Sequence, residues 1–161
     1  MSVRPIRLAD IPCLIDLGEL MHTEGAYRFL PFERARCEAL LRRCIDQPAS
    51  WCGLVAEADD GPAGMLIGVR SPYVFCSESV ASDVILFVRA GSRGARHATA
   101  MVDDFIAWAR RHGAREVCIS TSLNVDVPGT DAFVGKLGFV RVGGVFKQRL
   151  DTADSLVESI A

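Results

Sequence analysis

The stretch from Asp83 to Gly113 constrains the fold more than any other part of the chain. Asp83-Val-Ile-Leu-Phe-Val88 is a near-continuous apolar run, the pattern of a strand buried on both faces. A turn rich in glycine and arginine follows, from Arg89 to Arg96. It opens a long helix in which Ala98, Met101, Val102, Phe105, Trp108 and Ala109 recur at helical spacing, with Gly113 suited to cap its end. A strand apolar on both sides needs a layer over each face, and a one-sided helix needs a sheet to lie on. The segment therefore implies a layered α/β architecture.

The rest of the chain supplies those layers. Val3–Leu8 reads as a short strand, with Pro5 suited to a sheet edge. Asp10 reads as an N-cap and Pro12 fits a first helical turn, ahead of Ile11, Leu14, Leu17 and Met21 at helical spacing. A second helix is expected over Pro31–Ile45. Trp51–Ala58 and Ala63–Val69 form a hairpin around Asp59-Asp60-Gly61-Pro62. Glu116–Thr121 reads as a buried strand and Ala132–Leu137 as a short helix stopped by Gly138. Phe139–Val142 and Val145–Leu150 read as closing strands around Gly143-Gly144. The expectation is a central mixed sheet with helices on both faces.

A length of 161 residues fits one domain able to bury its own core. We expect a core over about residues 3 to 150 and a weakly patterned tail over 151 to 161. The net charge of -2 disfavours a nucleic-acid partner. The six cysteines contain no Cys-x-x-Cys pair, and with three histidines no metal site is expected. The first residues lack a signal-peptide core, and no run reaches the roughly 20 apolar residues that span a bilayer. A reduced, cytoplasmic location and no membrane partner are the expectation.

Chemistry enters at the turn before the long helix. N–H groups in the first turn of a helix lack internal partners and carry the positive end of the dipole, so such a terminus suits a phosphate. Gly94, Ala95 and Ala98 keep side chains clear, while Arg93, Arg96 and His97 add positive charge. The alternative is an ordinary strand-to-helix turn with a solvated basic surface. The spacing is neither a Walker loop nor a dinucleotide fingerprint.

Arg93-Gly94-Ala95-Arg96-His97-Ala98, followed by a helix ending Trp108-Ala-Arg-Arg-His-Gly113, resembles the acetyl-CoA motif Arg/Gln-x-x-Gly-x-Gly/Ala of the GNAT N-acetyltransferase superfamily. Arg96 stands in place of the central glycine, as in a bacterial and phage-type subgroup. Phe133-Val-Gly-Lys136-Leu-Gly138-Phe139 is similar to the family's second signature, and Arg4-Pro-Ile-Arg-Leu-Ala-Asp10-Ile-Pro to its opening strand and helix. The resemblance implies an α/β (α+β) GNAT-like fold: a central mixed, mostly antiparallel sheet, a splay between the fourth and fifth strands, and helices on both faces. It further implies acetyl-CoA as co-substrate, an amine as acceptor, and no metal. The backbone of Phe87 and Val88 would pair with the pantetheine amides, and the N–H groups of Gly94 to Ala98 would hold the pyrophosphate. Asn124 would hydrogen-bond the pantetheine or serve as a turn residue. Pairing through the last strands would make a homodimer.

A thioester is already activated, so an amine attacks it directly once it is placed, neutral and supported by an oxyanion donor. The resemblance puts that donor at the Val88 N–H. Asp83, which period-two alternation sets on the face of Phe87, is the candidate general base, with Glu78 as a weaker one. Val134 stands where many relatives carry a proton-donating tyrosine, and valine cannot donate. Tyr73 is one replacement, water another. A non-catalytic CoA-binding sensor is the alternative reading. The acceptor side is expected around Met21-His22-Thr23-Glu24 and Tyr27-Arg28-Phe29.

Overall fold

The computed structural model describes residues 2–92, 95–120, 127–148 and 150. Strand β1 (Ser2–Pro5) leads through a 3-10 turn, Leu8–Asp10, into helix α1 (Ile11–Glu24). Helix α2 (Arg34–Asp46) follows, then strands β2 (Trp51–Ala58), β3 (Gly61–Pro72) and β4 (Ser79–Val88). A second 3-10 turn, Ala90–Ser92, precedes helix α3 (Ala95–Arg111), strand β5 (Ala114–Cys118) and helix α4 (Val127–Lys136).

Asp10 acts one step earlier than the sequence suggests. Its carboxylate does not cap α1. It turns back to accept the Arg7 N–H at 2.7 Å, so it caps the preceding 3-10 turn. The Arg4 guanidinium grips the same carboxylate at 2.7 and 2.8 Å. That pairing holds the Asp10 carboxyl below the usual carboxylate range.

The sheet is five-stranded in the order β1-β2-β3-β4-β5. Pairing is antiparallel as far as β4, and β4 with β5 is parallel. The parallel pair requires a crossover, which α3 supplies. One face carries α1 and α2 over a core that includes Leu14, Leu41, Val55, Met65, Ile67 and Phe87. The other carries α3, whose Met101, Val102 and Phe105 are fully buried against Leu54, Leu66 and Ala81. Trp108 fixes the far end of α3 by donating its indole N–H to the Pro48 carbonyl at 2.8 Å. The expected terminators hold: Gly113 at φ 72° ends α3 and Gly138 at φ 86° ends α4, a region glycine enters without strain.

The closing strands expected at Phe139–Val142 and Val145–Leu150 are not formed among the described residues. Residues 139–148 join no ladder, and Val142, Val145 and Phe146 are exposed. An alternating apolar pattern makes a segment eligible for a strand, but only a partner edge makes it one.

Gly68 gives the two-layer contact its closeness. A Cβ built there would lie 2.6 Å from Cζ of the fully buried Phe105 ring. Gly68→Ala should destabilise the fold by about 1–3 kcal/mol, the usual range for overpacking a tight core. Thermal unfolding checks this, and an unchanged Tm would show that the ring has room to retreat.

Candidate functional site at the parting of two strands

The parallel ladder between β4 and β5 is short. It runs from Ser79 opposite Ala114 to Ser82 opposite Cys118. β4 continues to Val88 without β5, while it stays paired with β3 along the other edge. Among the described residues, the sheet thus divides after Ser82. Six residues of β4, at roughly 3.3 Å each, give a gap edge about 20 Å long.

Strand alternation decides which groups face that gap. The Arg89 N–H donates to the Ala63 carbonyl at 2.9 Å, so residue 89 turns its backbone toward β3. By alternation Phe87 does the same, and Leu86 and Val88 turn their N–H and C=O toward the gap. The expected pair of Phe87 and Val88 is therefore divided. Val88 aims its backbone at the opening, whereas Phe87 contributes a buried ring to the core beneath α1 and α2.

Asp83 lies where the strands part. Its Oδ1 accepts the Ser120 N–H at 2.8 Å, joining β4 to the chain just beyond β5. The expectation that Asp83 shares a face with Phe87 fails for a specific reason. Ile67 pairs with Ile85 and Gly68 with Asp83, so Val84 is an extra residue, a β-bulge. Gly68 faces Phe105 of α3, which places Asp83 on the α3 side, while Phe87, opposite Met65, faces α1 and α2. Burial pushes the Asp83 carboxyl above the usual carboxylate range, only partly offset by its bonds to Ser120.

The start of α3 sits at the same end of the sheet. In a strand-helix-strand unit with parallel strands, the helix begins beside the C-terminal end of the first strand. Ala95 opens the helix, Arg96 is exposed, and Ala98 is half-buried. His97 turns inward, with Nδ1 3.2 Å from the Ser92 carbonyl, so the ring braces the loop before α3. Arg93, Gly94 and Asn124 lie outside the described residues. Arg89, which sequence reasoning passed over, pairs with Asp60 across the β2–β3 turn, and its Nε is buried without a hydrogen-bond partner among the described residues.

Two other candidates belong to the closed end of the sheet. The Tyr73 hydroxyl donates to the Glu116 carboxylate at 2.5 Å, and that bond pushes its pKa up to about 12. Glu78 pairs with Arg115 at 3.0 Å. Both sit beside the joined part of β4 and β5, away from the gap. Val134 is half-buried in α4 and offers no proton there. On the opposite face, the His22 and Phe32 rings meet at 5.4 Å. Lys147 reaches the loop between α1 and α2, donating to the Tyr27 hydroxyl at 2.7 Å. No group of three or more metal-ligating side chains is found among the described residues. No described helix is long and apolar enough to cross a membrane.

Asp83 makes the fold sensitive to pH in a defined direction. A carboxyl whose folded pKa is raised favours the folded state below its ordinary pKa and loses that contribution as pH climbs through the raised value. Asp83→Asn keeps an oxygen for the Ser120 N–H and removes the buried charge. It should raise Tm at pH 7, with the gain fading toward acid. Thermal melts of both proteins from pH 4 to 8 check this, and a constant difference across that range would refute it.

The acetyltransferase (GNAT) family profile matches residues 17–139, well over half of the chain. No curated protein sequence matches it significantly. Several solved structures share its shape. AAC(6')-Iy, solved in complex with the bisubstrate analogue CoA-S-monomethyl-acetylneamine, superposes with TM-score 0.73 at 16% identity, over 94% of this chain and 98% of that one. Glucosamine-6-phosphate N-acetyltransferase from Arabidopsis thaliana gives TM-score 0.72 at 14% identity, over 93% and 98%. Aminoglycoside 6'-N-acetyltransferase AAC(6')-IG from Acinetobacter haemolyticus gives 0.69 at 18%, over 94% and 100%. At these identities the structural likeness establishes the fold, and the profile match, together with the divided sheet and the helix set beside it, establishes membership: the chain belongs to the GNAT acetyltransferase family.

Proposed function

We propose that this protein is an N-acetyltransferase that moves an acetyl group from acetyl-CoA directly to an amine on a small molecule or a protein. The observation that carries the reading is the parting of β4 from β5 after Ser82, with the start of α3 at the same end of the sheet. When bound, acetyl-CoA supplies an activated thioester. The first-turn N–H groups of α3 suit its pyrophosphate, with Arg96 adding charge from the surface. The outward amide groups of Leu86 and Val88 suit the amides of the pantetheine arm. The family resemblance assigns the developing oxyanion to the Val88 N–H.

Asp83 is our candidate for the proton acceptor, acting through water, because it stands where the gap begins and burial has raised its pKa toward the working range of a base. A cysteine intermediate is not needed. Burial raises the thiol pKa of Cys44 to about 11 and of Cys52 to about 12, which keeps both protonated and poor as nucleophiles. A second reading, a CoA-binding sensor without turnover, is favoured by Val134 at the position of the usual proton donor.

Binding and turnover are tested separately. Acetyl-CoA at a hundredfold excess over Kd should stabilise the fold by about 2.7 kcal/mol, read as a rise in Tm. Ala98→Glu should leave the free protein's Tm unchanged or slightly raised, since an acid suits a helix start. It should abolish the acetyl-CoA shift, because a second anion now occupies the approach. Thiol release with acetyl-CoA and a panel of amines measures transfer. Asp83→Asn should slow it by about a hundredfold, the lower range for losing a general base, with KM for acetyl-CoA nearly constant. A wild type that binds acetyl-CoA but transfers to no amine would favour the sensor.

A further inference from the structure

Two arginines in this protein meet carboxylates in different ways. Each side-chain nitrogen of Arg4 has a carboxylate partner. Nη1 and Nη2 grip Asp10 at 2.7 and 2.8 Å, and Nε and Nη2 reach Glu57 at 2.8 and 2.7 Å. Arg89 is engaged less fully. Its Nη2 pairs with Asp60, while Nε on the same edge is shielded from solvent and has no hydrogen-bond partner among the described residues. Nε–H and Nη2–H form a planar fork that matches two oxygens of one carboxylate or phosphate. Half of the fork is in use, and the other half is a desolvated donor without an acceptor, which is costly.

The Arg89 backbone is fixed at the threshold of α3. Its N–H donates to the Ala63 carbonyl at 2.9 Å, and its carbonyl accepts the Ser92 N–H at 2.9 Å to close the 3-10 turn. The Ser92 carbonyl in turn lies 3.2 Å from Nδ1 of His97, in the first turn of α3. Arg89 is thus tied, through Ser92, to the turn whose free N–H groups suit a diphosphate. Asp60 belongs to the same end of the sheet. It lies in the β2–β3 turn, and β3 begins where β4 finishes, with Gly64 opposite Val88. Its hydrogen bond to Arg89 holds the Asp60 carboxyl below the usual carboxylate range, so it is an anion at neutral pH. The Asp60 side chain is 70% exposed, and an ion pair this open to water exchanges partners at small cost.

We propose that the Arg89 fork binds a phosphate group of CoA, and that Asp60 is the internal carboxylate this phosphate displaces. This rests on the acetyltransferase reading above, to which it adds a binding residue and a competitor. In the free protein Asp60 occupies one donor of the fork. A phosphate has oxygens for both donors and so satisfies the buried Nε. CoA offers two sources of that chemistry, its diphosphate and its 3'-phosphate.

The experiment measures CoA affinity by calorimetry at one ionic strength for wild type, Asp60→Asn, Arg89→Gln and the double variant, with the Tm of each free protein in parallel. Arg89→Gln should raise Kd by about tenfold or more, the order for a lost hydrogen bond to a charged group. Asp60→Asn should lower Kd by about two- to fivefold, since the phosphate no longer has to break an exposed pair. That gain should vanish in the double variant. The Tm of the free protein should change little, and Arg89→Lys, which keeps the charge and loses the fork, repeats the test if glutamine destabilises the fold. Dephospho-CoA names the source: an undiminished Arg89 effect assigns the diphosphate, and its loss assigns the 3'-phosphate. An unchanged Kd in both Arg89 variants would overturn the proposal. So would an unchanged or raised Kd in Asp60→Asn, or a gain that persists beside Arg89→Gln, because Asp60 would then act without the arginine. Each of these leaves the acetyltransferase reading standing, whereas a wild type with no affinity for CoA would overturn both.

Discussion

Asp83 Oδ1 and the Ser120 N–H meet where two parallel strands cease to be neighbours, and this contact governs the layout of the molecule. On one side of it the sheet is continuous, and ladder bonds join β4 to β5. On the other, β4 keeps β3 and leaves β5 behind. At the point of divergence the Asp83 carboxylate accepts the N–H of exposed Ser120 in place of a ladder bond, and its own desolvation is part of the cost.

The closed end is held more heavily. Tyr73 with Glu116, and Arg115 with Glu78, tie the β3–β4 connection to the start of β5. These groups are exposed, so each pair contributes little stability alone. Their effect is directional: the strands are secured at one end and diverge at the other. The Val84 bulge works with this arrangement. One extra residue reverses which side chains face which layer, so residues four apart on β4, Asp83 and Phe87, serve opposite faces.

Much of the architecture was legible in the chain. The α3 stripe, the glycines that end α3 and α4, the β2–β3 hairpin and the turn before α3 were written in local pattern, and the structure follows them. What escaped was set by partners. Nothing in Asp-Val-Ile-Leu-Phe-Val marks Val84 as the inserted residue, because a bulge is a property of two strands in register. The role of Ser120 depends on a parallel ladder whose offset no local signal encodes. The closing strands were inferred from alternation that met no edge among the described residues. Along β4, alternation turns the Val88 backbone toward the gap, while the Phe87 ring packs into the core. Lys147 and Phe32 were not singled out at all, since their meaning comes from the α1–α2 loop they touch.

The indole of Trp108 reaches across to Pro48, in the link between α2 and β2. A helix from one layer is thereby riveted, at its C-terminal end, to the chain that serves the other. A long rod fastened at its rear cannot swing freely when something grasps its tip. On the proposed reading, an anion arriving at the start of α3 meets a helix whose other end is already fastened.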